Sequence, residues 1–475
     1  MSLKKVFIDN IIFAFVAQTV SIIVSLIMTL GIPKILSVEE YGFWQLFIFY
    51  TGFIGFFLFG LSDGIYLKYG GKKFDELNKQ IIKSQMVYGF FLQLLISLVI
   101  IVIGSFLNIE WERHIIIFAT ALYLVLGNLV TLLGFLLLAT NNIKYYSKAI
   151  LVDKISFIII LTVIFLYSKV SYMVLIELFI VTKLLSLVYL LSYFRNYKNL
   201  SICSFKRSFS ILKINMSVGI ILMLSNIAST LIIGIGRFAI DNKWDIETFG
   251  KISLSLSATY FFLLLISQVS LALFPVLRQL DYVNQRNIFT KSCELLGIIM
   301  LGVFLLYFPL ISFLEAWLPK YADSLKYLVI LMPICLFEGK MQMIHNTYMK
   351  SLNKQEMLLL INIAVLIVSL ILTYFAAYNI HNLMLVVYVM LFCISLRSIF
   401  TQLYLYRFYN LKFDPQILME ILFTIIFISV VTFFKNLPAL IMYVGIYLLF
   451  LLIFRKKFTN ILKFFFFKKK VLATP

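Results

Sequence analysis

Residues 31–73 read GIPKILSVEEYGFWQLFIFYTGFIGFFLFGLSDGIYLKYGGKK: a short polar loop, one long apolar stretch and a glycine-rich basic exit. The hexapeptide SVEEYG in this loop, at 37–42, returns as DIETFG at 245–250. Each copy joins two apolar stretches, carries acidic side chains and ends in glycine. Because the two loops lie six predicted helices apart in the same orientation, they indicate a duplicated membrane bundle with parallel repeats.

The composition predicts a chain that is solvated by lipid. Of 475 residues, 62% are hydrophobic and 13% are charged, whereas soluble domains average about 45–50% apolar and 25% charged residues. The formal charge of +20 would suit nucleic acid in a soluble protein. In a membrane protein it indicates loops that face anionic lipid, so we expect membrane lipids and no nucleic acid as partners.

Fourteen apolar stretches are long enough to cross a membrane, for which a helix needs about 20 residues. They lie at 8–30, 43–63, 85–107, 115–138, 150–167, 172–193, 216–236, 251–273, 293–313, 326–346, 357–375, 383–405, 417–433 and 438–454. The predicted fold class is an all-α polytopic membrane protein of about 14 transmembrane helices. Two parallel six-helix repeats are followed by two extra C-terminal helices.

The loops divide the predicted bundle into five parts. These are an N-terminal six-helix lobe (1–195), a cytoplasmic linker (196–215), a C-terminal six-helix lobe (216–405), helices 13 and 14 (406–455), and a basic cytoplasmic tail (456–475). With a cytoplasmic N-terminus, most Lys and Arg residues fall on the cytoplasmic side, as the positive-inside rule requires. An even helix count places the C-terminus there too, and FFFFKKK at 464–470 predicts an anchor at the membrane surface.

The motifs argue against an enzyme. The four cysteines are far apart and show no metal-binding spacing, so we expect neither a metal site nor a disulfide framework. No GxxxxGK[ST] loop is present, which predicts that the chain carries no ATPase of its own and needs no cofactor. A polysaccharide polymerase or ligase would need a long external loop, and the predicted external loops are short.

Charged side chains inside apolar stretches cost several kcal/mol and are therefore candidate functional residues. Four cations are predicted to bind an anionic substrate: Lys183, Arg237, Lys340 and Arg397. Three of them have an alternative interpretation: Lys183 could extend from a helix end to the membrane surface, and Arg237 could contact lipid headgroups. Lys340, with Glu338, could lie at the solvated cytoplasmic end of its helix. Pro333, just before Lys340, predicts an interrupted helix of the kind found near transport sites.

Four acidic residues are candidates for ion coupling or gating: Asp63, Asp153, Glu177 and Glu338. Asp63 and Asp153 fall at predicted helix ends, where capping is the favoured role and gating the alternative. Three polar residues inside helices, Asn128, Asn226 and Gln268, are expected to serve helix contacts, with sugar hydroxyls as the alternative partners.

Several short motifs resemble those of the Wzx-like polysaccharide flippases, within the multidrug/oligosaccharidyl-lipid/polysaccharide exporter superfamily. They are GIPK at 31–34, EEYGFW at 39–44, GLSDG at 60–64 and GIGRFAI at 234–240, followed by the second hexapeptide. Helix count, loop lengths and the repeat extend the resemblance over nearly the whole chain. The resemblance implies two six-helix lobes that form a V around a central cavity, with an undecaprenyl-diphosphate-linked oligosaccharide as the cargo.

The implied function is to flip this cargo from the inner to the outer leaflet of a bacterial cytoplasmic membrane by alternating access. The product would serve O-antigen or capsule synthesis, with a polysaccharide polymerase as a candidate partner. Two alternatives are a cation-coupled multidrug exporter of the same superfamily and a lipid II flippase. Deep cations are at least as numerous as deep acids, which favours an anionic cargo.

Overall fold

A computed structural model of the chain describes residues 3–167, 169–197, 199–434, 437–455 and 459. Within these ranges every regular element is helical. The predicted basic tail and its FFFFKKK stretch lie outside the described residues, apart from residue 459.

Nine α-helices cover the first half of the chain. They are α1 (Leu3–Leu30), α2 (Ile32–Ile35), α3 (Val38–Thr51), α4 (Leu61–Tyr69), α5 (Lys79–Ser105), α6 (Trp111–Ala139), α7 (Ile143–Tyr167), α8 (Tyr172–Tyr193) and α9 (Phe205–Lys243). A 3₁₀ segment, Ile54–Leu58, lies between α3 and α4. The second predicted span is therefore interrupted instead of continuous.

Ten α-helices follow in the second half. They are α10 (Ile246–Gln279), α11 (Tyr282–Val303), α12 (Tyr307–Trp317), α13 (Lys326–Leu331), α14 (Ile334–Lys340), α15 (Asn346–Ser351), α16 (Gln355–Tyr374), α17 (Leu383–Phe408), α18 (Gln416–Phe433) and α19 (Leu437–Ile453). Two π-helical segments, Met341–His345 and Phe375–Asn379, adjoin α14 and α16.

Twelve helical stretches of the described residues are long and apolar enough to cross a membrane. This confirms the prediction of an all-helical, multi-span membrane protein. The other two predicted spans coincide with α10, which has 34 residues, and α19, which has 17. The total of fourteen stays a prediction.

The chain forms two compact units. The N-terminal unit comprises Met1–Ile227 with Ile246–Gly250, and the C-terminal unit comprises Ala228–Asp245 with Lys251–Pro475. The boundary between these units falls inside α9. The predicted division of the chain, with a linker at 196–215, stays a prediction; residues 205–215 of that range form the first turns of α9.

The first duplicated loop is a helix-capping motif. The Ser37 hydroxyl accepts a hydrogen bond from the Glu40 amide at 3.1 Å, and the Glu40 carboxylate accepts one from the Ser37 amide at 3.2 Å. This reciprocal arrangement satisfies amides that the first helical turn leaves unpaired. The second copy occupies the same local position, since α10 begins at Ile246, directly after Asp245.

The two copies of the loop contact each other through their glycines, within the N-terminal unit. A Cβ atom on Gly42 would lie 2.3 Å from the carbonyl oxygen of Ile246, and a Cβ on Gly250 would lie 3.5 Å from that of Val38. Val38 and Ile246 are equivalent positions of the repeat, as are Gly42 and Gly250, so the contacts are reciprocal. This local pseudo-two-fold arrangement supports the predicted duplication.

A second pair of loops also lies at equivalent positions of the two repeats, and its two members share one backbone conformation. Asn141 and Asn353, which follow the fourth and tenth predicted spans, have positive φ angles of 58° and 55°. In each loop the amide of the next residue donates to the carbonyl five residues earlier, at 2.8 Å. Both helices therefore end in the same left-handed cap, six spans apart.

Gly42→Ala is expected to destabilise the protein by about 1–3 kcal/mol, because the new methyl group would overlap a backbone carbonyl that cannot rotate away. Thermal unfolding in detergent measures the effect. Gly445→Ala is the matched control, since a Cβ there would meet nothing within 4 Å. Equal melting temperatures for the two variants would contradict the packing of the repeated loops.

Candidate functional site

Two lysines share one carboxylate inside the N-terminal unit. The Asp153 Oδ2 atom on α7 lies 2.6 Å from Lys183 Nζ on α8 and 3.7 Å from Lys154 Nζ. The Lys183 ammonium also lies 5.8 Å from the ring centre of Tyr123 on α6. We call these four residues the Lys183 cluster. Its two ammonium groups and single carboxylate leave one positive charge in excess, at membrane depth.

This geometry corrects two alternative interpretations. Asp153 lies ten residues after the start of α7 at Ile143, about 15 Å along the helix axis, so it does not cap a helix. Lys183 contacts a buried carboxylate and does not extend towards a helix end. Glu177 lies on α8 as well but is exposed, and the structure does not bring it into the cluster.

An arginine cluster lies inside the C-terminal unit. The guanidinium of Arg397 on α17, a residue that is 1% exposed, forms an ion pair with Glu338 on α14 and donates to the hydroxyl of Ser229 on α9. Gln342 Nε2 donates to the other oxygen of Glu338 at 3.1 Å. We call these four residues the Arg397 cluster. It joins two predicted site residues, Arg397 and Glu338, to two that the sequence analysis missed.

Arg237 lies on α9 two turns beyond Ser229. It donates a hydrogen bond to the Ser253 hydroxyl of α10 at 2.8 Å. Arg237 and Ser229 of the Arg397 cluster lie on the same helix, eight residues apart.

Lys340 is fully engaged in a separate buried network. Its ammonium, 1% exposed, donates to both oxygens of Glu420 on α18, at 2.8 and 3.0 Å, and to Gln402 Oε1 on α17 at 2.7 Å. Gln416 Nε2 donates to Glu420 Oε1 at 3.2 Å. We call these four residues the Lys340 cluster. An ammonium has three donor hydrogens, and three acceptor atoms lie within hydrogen-bond distance of this one.

The saturated partners of Lys340 argue against its predicted role as a substrate ligand. They indicate that it ties α14 to α17 and α18. Gly297 makes the approach possible, since a Cβ there would lie 2.3 Å from Glu420 Oε1. Glu420 was missed because an acidic residue one turn into a predicted helix is unremarkable in sequence.

The predicted interruption at Pro333 is present. Helix α13 ends at Leu331 and α14 begins at Ile334, and the π-helical segment Met341–His345 follows. Proline removes a backbone donor, and π-helical turns re-aim the side chains that follow them. Glu338 and Lys340 lie on the short helix between these irregularities, where Glu338 contacts α17 and Lys340 contacts both α17 and α18.

The break between α3 and α4 is held by polar side chains of neighbouring helices. Asn128 on α6 donates to the Ile54 carbonyl at 2.8 Å, and Gln93 on α5 donates to the Phe57 carbonyl at 3.0 Å. Asn128 also donates to Gln93 at 2.7 Å. Inside a membrane, carbonyls freed by a broken helix need such partners. Asn128 thus serves helix contacts, as predicted.

The break also changes the position of Asp63. We predicted that Asp63 ends the second helix, yet it lies in the first turn of α4. Helix α4 begins directly after Phe59 and Gly60, whose positive φ angles of 50° and 77° interrupt the helical conformation. A carboxylate near a helix N-terminus is stabilised by the helix dipole, which favours a structural role for Asp63. Of the other predicted polar residues, Asn226 is exposed, and the side chain of Gln268 lies outside the described residues.

Gln93→Leu is expected to destabilise the protein by about 1–3 kcal/mol, because it leaves the Phe57 carbonyl and one Asn128 hydrogen unpaired in a buried site. Detergent thermal unfolding measures the change. The same substitution at Gln18, a partly exposed glutamine of α1 with no side-chain hydrogen bond within the described residues, is expected to change stability by less than about 0.5 kcal/mol. The role of the break would be disproved by equal effects at both positions.

These features define a multi-span membrane protein with buried ion pairs between its helices. No family model matches the chain, and no curated protein matches it in sequence. In the part of the chain that the structure describes, no group of three or more His, Cys, Asp or Glu residues is placed to hold a metal ion.

The fold is that of known membrane transporters. It matches the structure titled "Lipid II flippase MurJ, inward closed conformation" with a TM-score of 0.66 and 16% identity, over 94% of this chain and 99% of that one. It matches an inward-facing multidrug resistance MATE family transporter of the MOP superfamily with a TM-score of 0.60 and 14% identity. This match covers 82% of this chain and 98% of that one. It also matches a MOP superfamily transporter from Pyrococcus furiosus with a TM-score of 0.51 and 14% identity, over 86% of this chain and 96% of that one.

Proposed function

We propose that this protein moves an oligosaccharide linked to undecaprenyl diphosphate from the inner to the outer leaflet of the cytoplasmic membrane. The observation that carries the proposal is the Lys183 cluster, in which Lys154 and Lys183 share the single carboxylate of Asp153. A diphosphate would satisfy the excess positive charge, whereas a cationic drug would add to it. The shared fold with transporters and a lipid flippase supports the same class of function.

The physical problem for such a cargo is the desolvation of its headgroup, since charged groups enter hydrocarbon at great cost. Ammonium and guanidinium groups held inside the helices can replace lost water with charge-assisted hydrogen bonds. Two negative charges that move outward gain about 4–5 kcal/mol per 100 mV of inside-negative potential. The potential itself can therefore drive the transfer, without an obligatorily coupled ion.

In this proposal the cargo competes with internal carboxylates for the cations. Asp153 holds Lys183 and Glu338 holds Arg397 until a diphosphate arrives. The carboxylates keep the buried cations compensated between cycles, because an unpaired buried charge is strongly destabilising. Asp153 and Glu338 thus act as exchangeable partners, which gives the predicted gating residues a concrete role.

A multidrug exporter is the second candidate, because a MATE transporter shares the fold. Such a protein needs acidic groups that are available to a cationic drug. Asp153, Glu338 and Glu420 are each paired with a cation of this chain, which disfavours that function. Drug susceptibility of a deletion strain tests it: unchanged susceptibility supports the flippase proposal, and hypersensitivity to cationic drugs contradicts it.

Lipid II is the alternative cargo, since one protein of this fold is a lipid II flippase. Deletion of the gene separates the two cargoes. A flippase for surface polysaccharide is expected to be dispensable for growth and required for surface glycan. A strain that cannot survive the deletion would favour lipid II.

Complementation of the deletion strain tests the binding residues. We expect Arg237→Ala and Arg397→Ala, each at wild-type membrane abundance, to lose most of the surface glycan. Lys326→Ala is the control, because Lys326 is an exposed residue outside the three clusters. Full restoration of surface glycan by both arginine variants would rule out their role in binding the anion.

A further inference from the structure

The first turns of α9 and the connection before it carry positive charge that the proposed function does not use. Between Glu177 and Asp241 the chain has no acidic residue. Over the same stretch Arg195, Lys206, Arg207 and Lys213 lie in or beside the connection from α8 to α9. The positive charge is therefore concentrated where the chain leaves the membrane-spanning part.

This segment is fixed in place by α5. The Cys203 amide donates to the Ser84 hydroxyl at 2.8 Å, and Gln80 Nε2 donates to the Ser201 hydroxyl at 3.0 Å. The Lys83 ammonium donates to the Leu200 carbonyl. Three contacts with one helix hold residues 200–203 to α5, so the side chains that follow have defined positions.

A shallow basic cavity of about 550 Å³, open to the surface, lies beside this attachment. It is lined by Ile81, Ser204, Lys206, Arg207, Ser210 and Ile211. Both basic side chains are exposed, and neither forms an ion pair within the described residues. Cations and hydroxyl donors around one cavity are suited to a phosphate group, which accepts charge-assisted hydrogen bonds.

Two phenylalanines of the same helix, adjacent in sequence to residues that line the basic cavity, present an exposed apolar surface. Phe205 and Phe209 are 66% and 58% exposed, and their rings stack with centres 6.0 Å apart. Phe205 also contacts the ring of Tyr88 on α5, with ring centres 5.6 Å apart. Exposed aromatic rings next to basic residues are typical of the membrane interface, where rings lie at headgroup depth.

We propose that this cavity binds an anionic glycerophospholipid of the surrounding membrane. The lipid phosphate lies between Lys206 and Arg207, with the hydroxyls of Ser204 and Ser210 as further donors. The acyl chains lie along Phe205 and Phe209, which is why a lipid fits this site better than free phosphate. The site is separate from the three ion-pair clusters, and the proposal does not depend on the cargo.

Lipid titration of the purified full-length protein tests the proposal. Phosphatidylglycerol and phosphatidylcholine are each added in mixed micelles, and bound lipid is counted by native mass spectrometry. The wild type is expected to bind phosphatidylglycerol at least ten-fold more tightly than phosphatidylcholine. Lys206→Gln with Arg207→Gln is expected to remove that preference. Lys320→Gln with Lys326→Gln, two exposed lysines outside the cavity, is the charge-matched control and is expected to keep it.

Two further variants separate specific recognition from general charge. Exchange of the cations, Lys206→Arg with Arg207→Lys, is expected to retain binding within about three-fold. Phe205→Ser with Phe209→Ser is expected to weaken phosphatidylglycerol binding at least five-fold. Three results would overturn the proposal. The wild type binds both lipids equally, the Lys320/Lys326 control loses as much phosphatidylglycerol binding as the Lys206/Arg207 variant, or inorganic phosphate at millimolar concentration displaces all the bound phosphatidylglycerol.

Discussion

Lys340→Met is expected to lose about 3–5 kcal/mol of stability and most of the folded protein. The substitution leaves the Glu420 carboxylate, 2% exposed, without its cation inside the membrane. Removal of one partner from a buried ion pair costs about that much, because an uncompensated charge remains in a low-dielectric site. Thermal unfolding in detergent and the monodisperse fraction on gel filtration measure the loss.

The matched control is the double variant Lys340→Met with Glu420→Met, which removes both charges. A buried ion pair replaced by apolar side chains of similar volume often gives equal or greater stability. The double variant should therefore recover both stability and surface glycan. A stable Lys340→Met single variant that loses transport would contradict this account and return Lys340 to the binding site.

Arg397→Met is expected to abolish transport and also to lower stability, because Glu338 loses its partner. Here the double variant Arg397→Met with Glu338→Gln separates the two effects. It should recover stability, since no buried charge is left unpaired. It should not recover transport, because the guanidinium that we propose to bind the cargo is absent. Surface glycan and melting temperature, measured on the same preparations, give the two readouts.

The contrast between the two double variants is the informative result. Recovery of transport at Lys340–Glu420 but not at Arg397–Glu338 would separate a structural pair from an exchangeable one. Arg397→Lys should give an intermediate rate, because lysine keeps the charge but lacks the planar fork that holds two partners. Wild-type transport in the Arg397–Glu338 double variant would show that both pairs are structural.

The positions of the helices were predictable because every membrane-spanning helix must meet the same sequence requirement. A spanning helix must be apolar over about 20 residues, and each predicted span coincides with helix in the structure. The break between α3 and α4 was not predictable in this way. It depends on Asn128 and Gln93, which lie on other helices and reveal their role only through contacts.

The candidate site was half predictable. A cation in an apolar stretch is conspicuous, and this marked Lys183, Lys340 and Arg397. Their partners were harder to recognise. Asp153 resembled a cap because the predicted helix began seven residues late, at 150 instead of Ile143. The roles that we propose for Lys340 and Arg397 rest on the partners that each side chain finds on other helices, which no sequence pattern reports.

A flipping assay in proteoliposomes tests the central claim most directly. Undecaprenyl diphosphate that carries a fluorescent oligosaccharide is placed in the inner leaflet, and a membrane-impermeant quencher reports its appearance outside. We expect rapid appearance with the wild type and at least a ten-fold slower rate when Lys154→Met and Lys183→Met are combined with Asp153→Asn, which leaves no charge of the cluster unpaired. Wild-type rates in that variant, or equal rates for an uncharged polyprenyl glycan, would contradict the claim that buried cations carry the diphosphate.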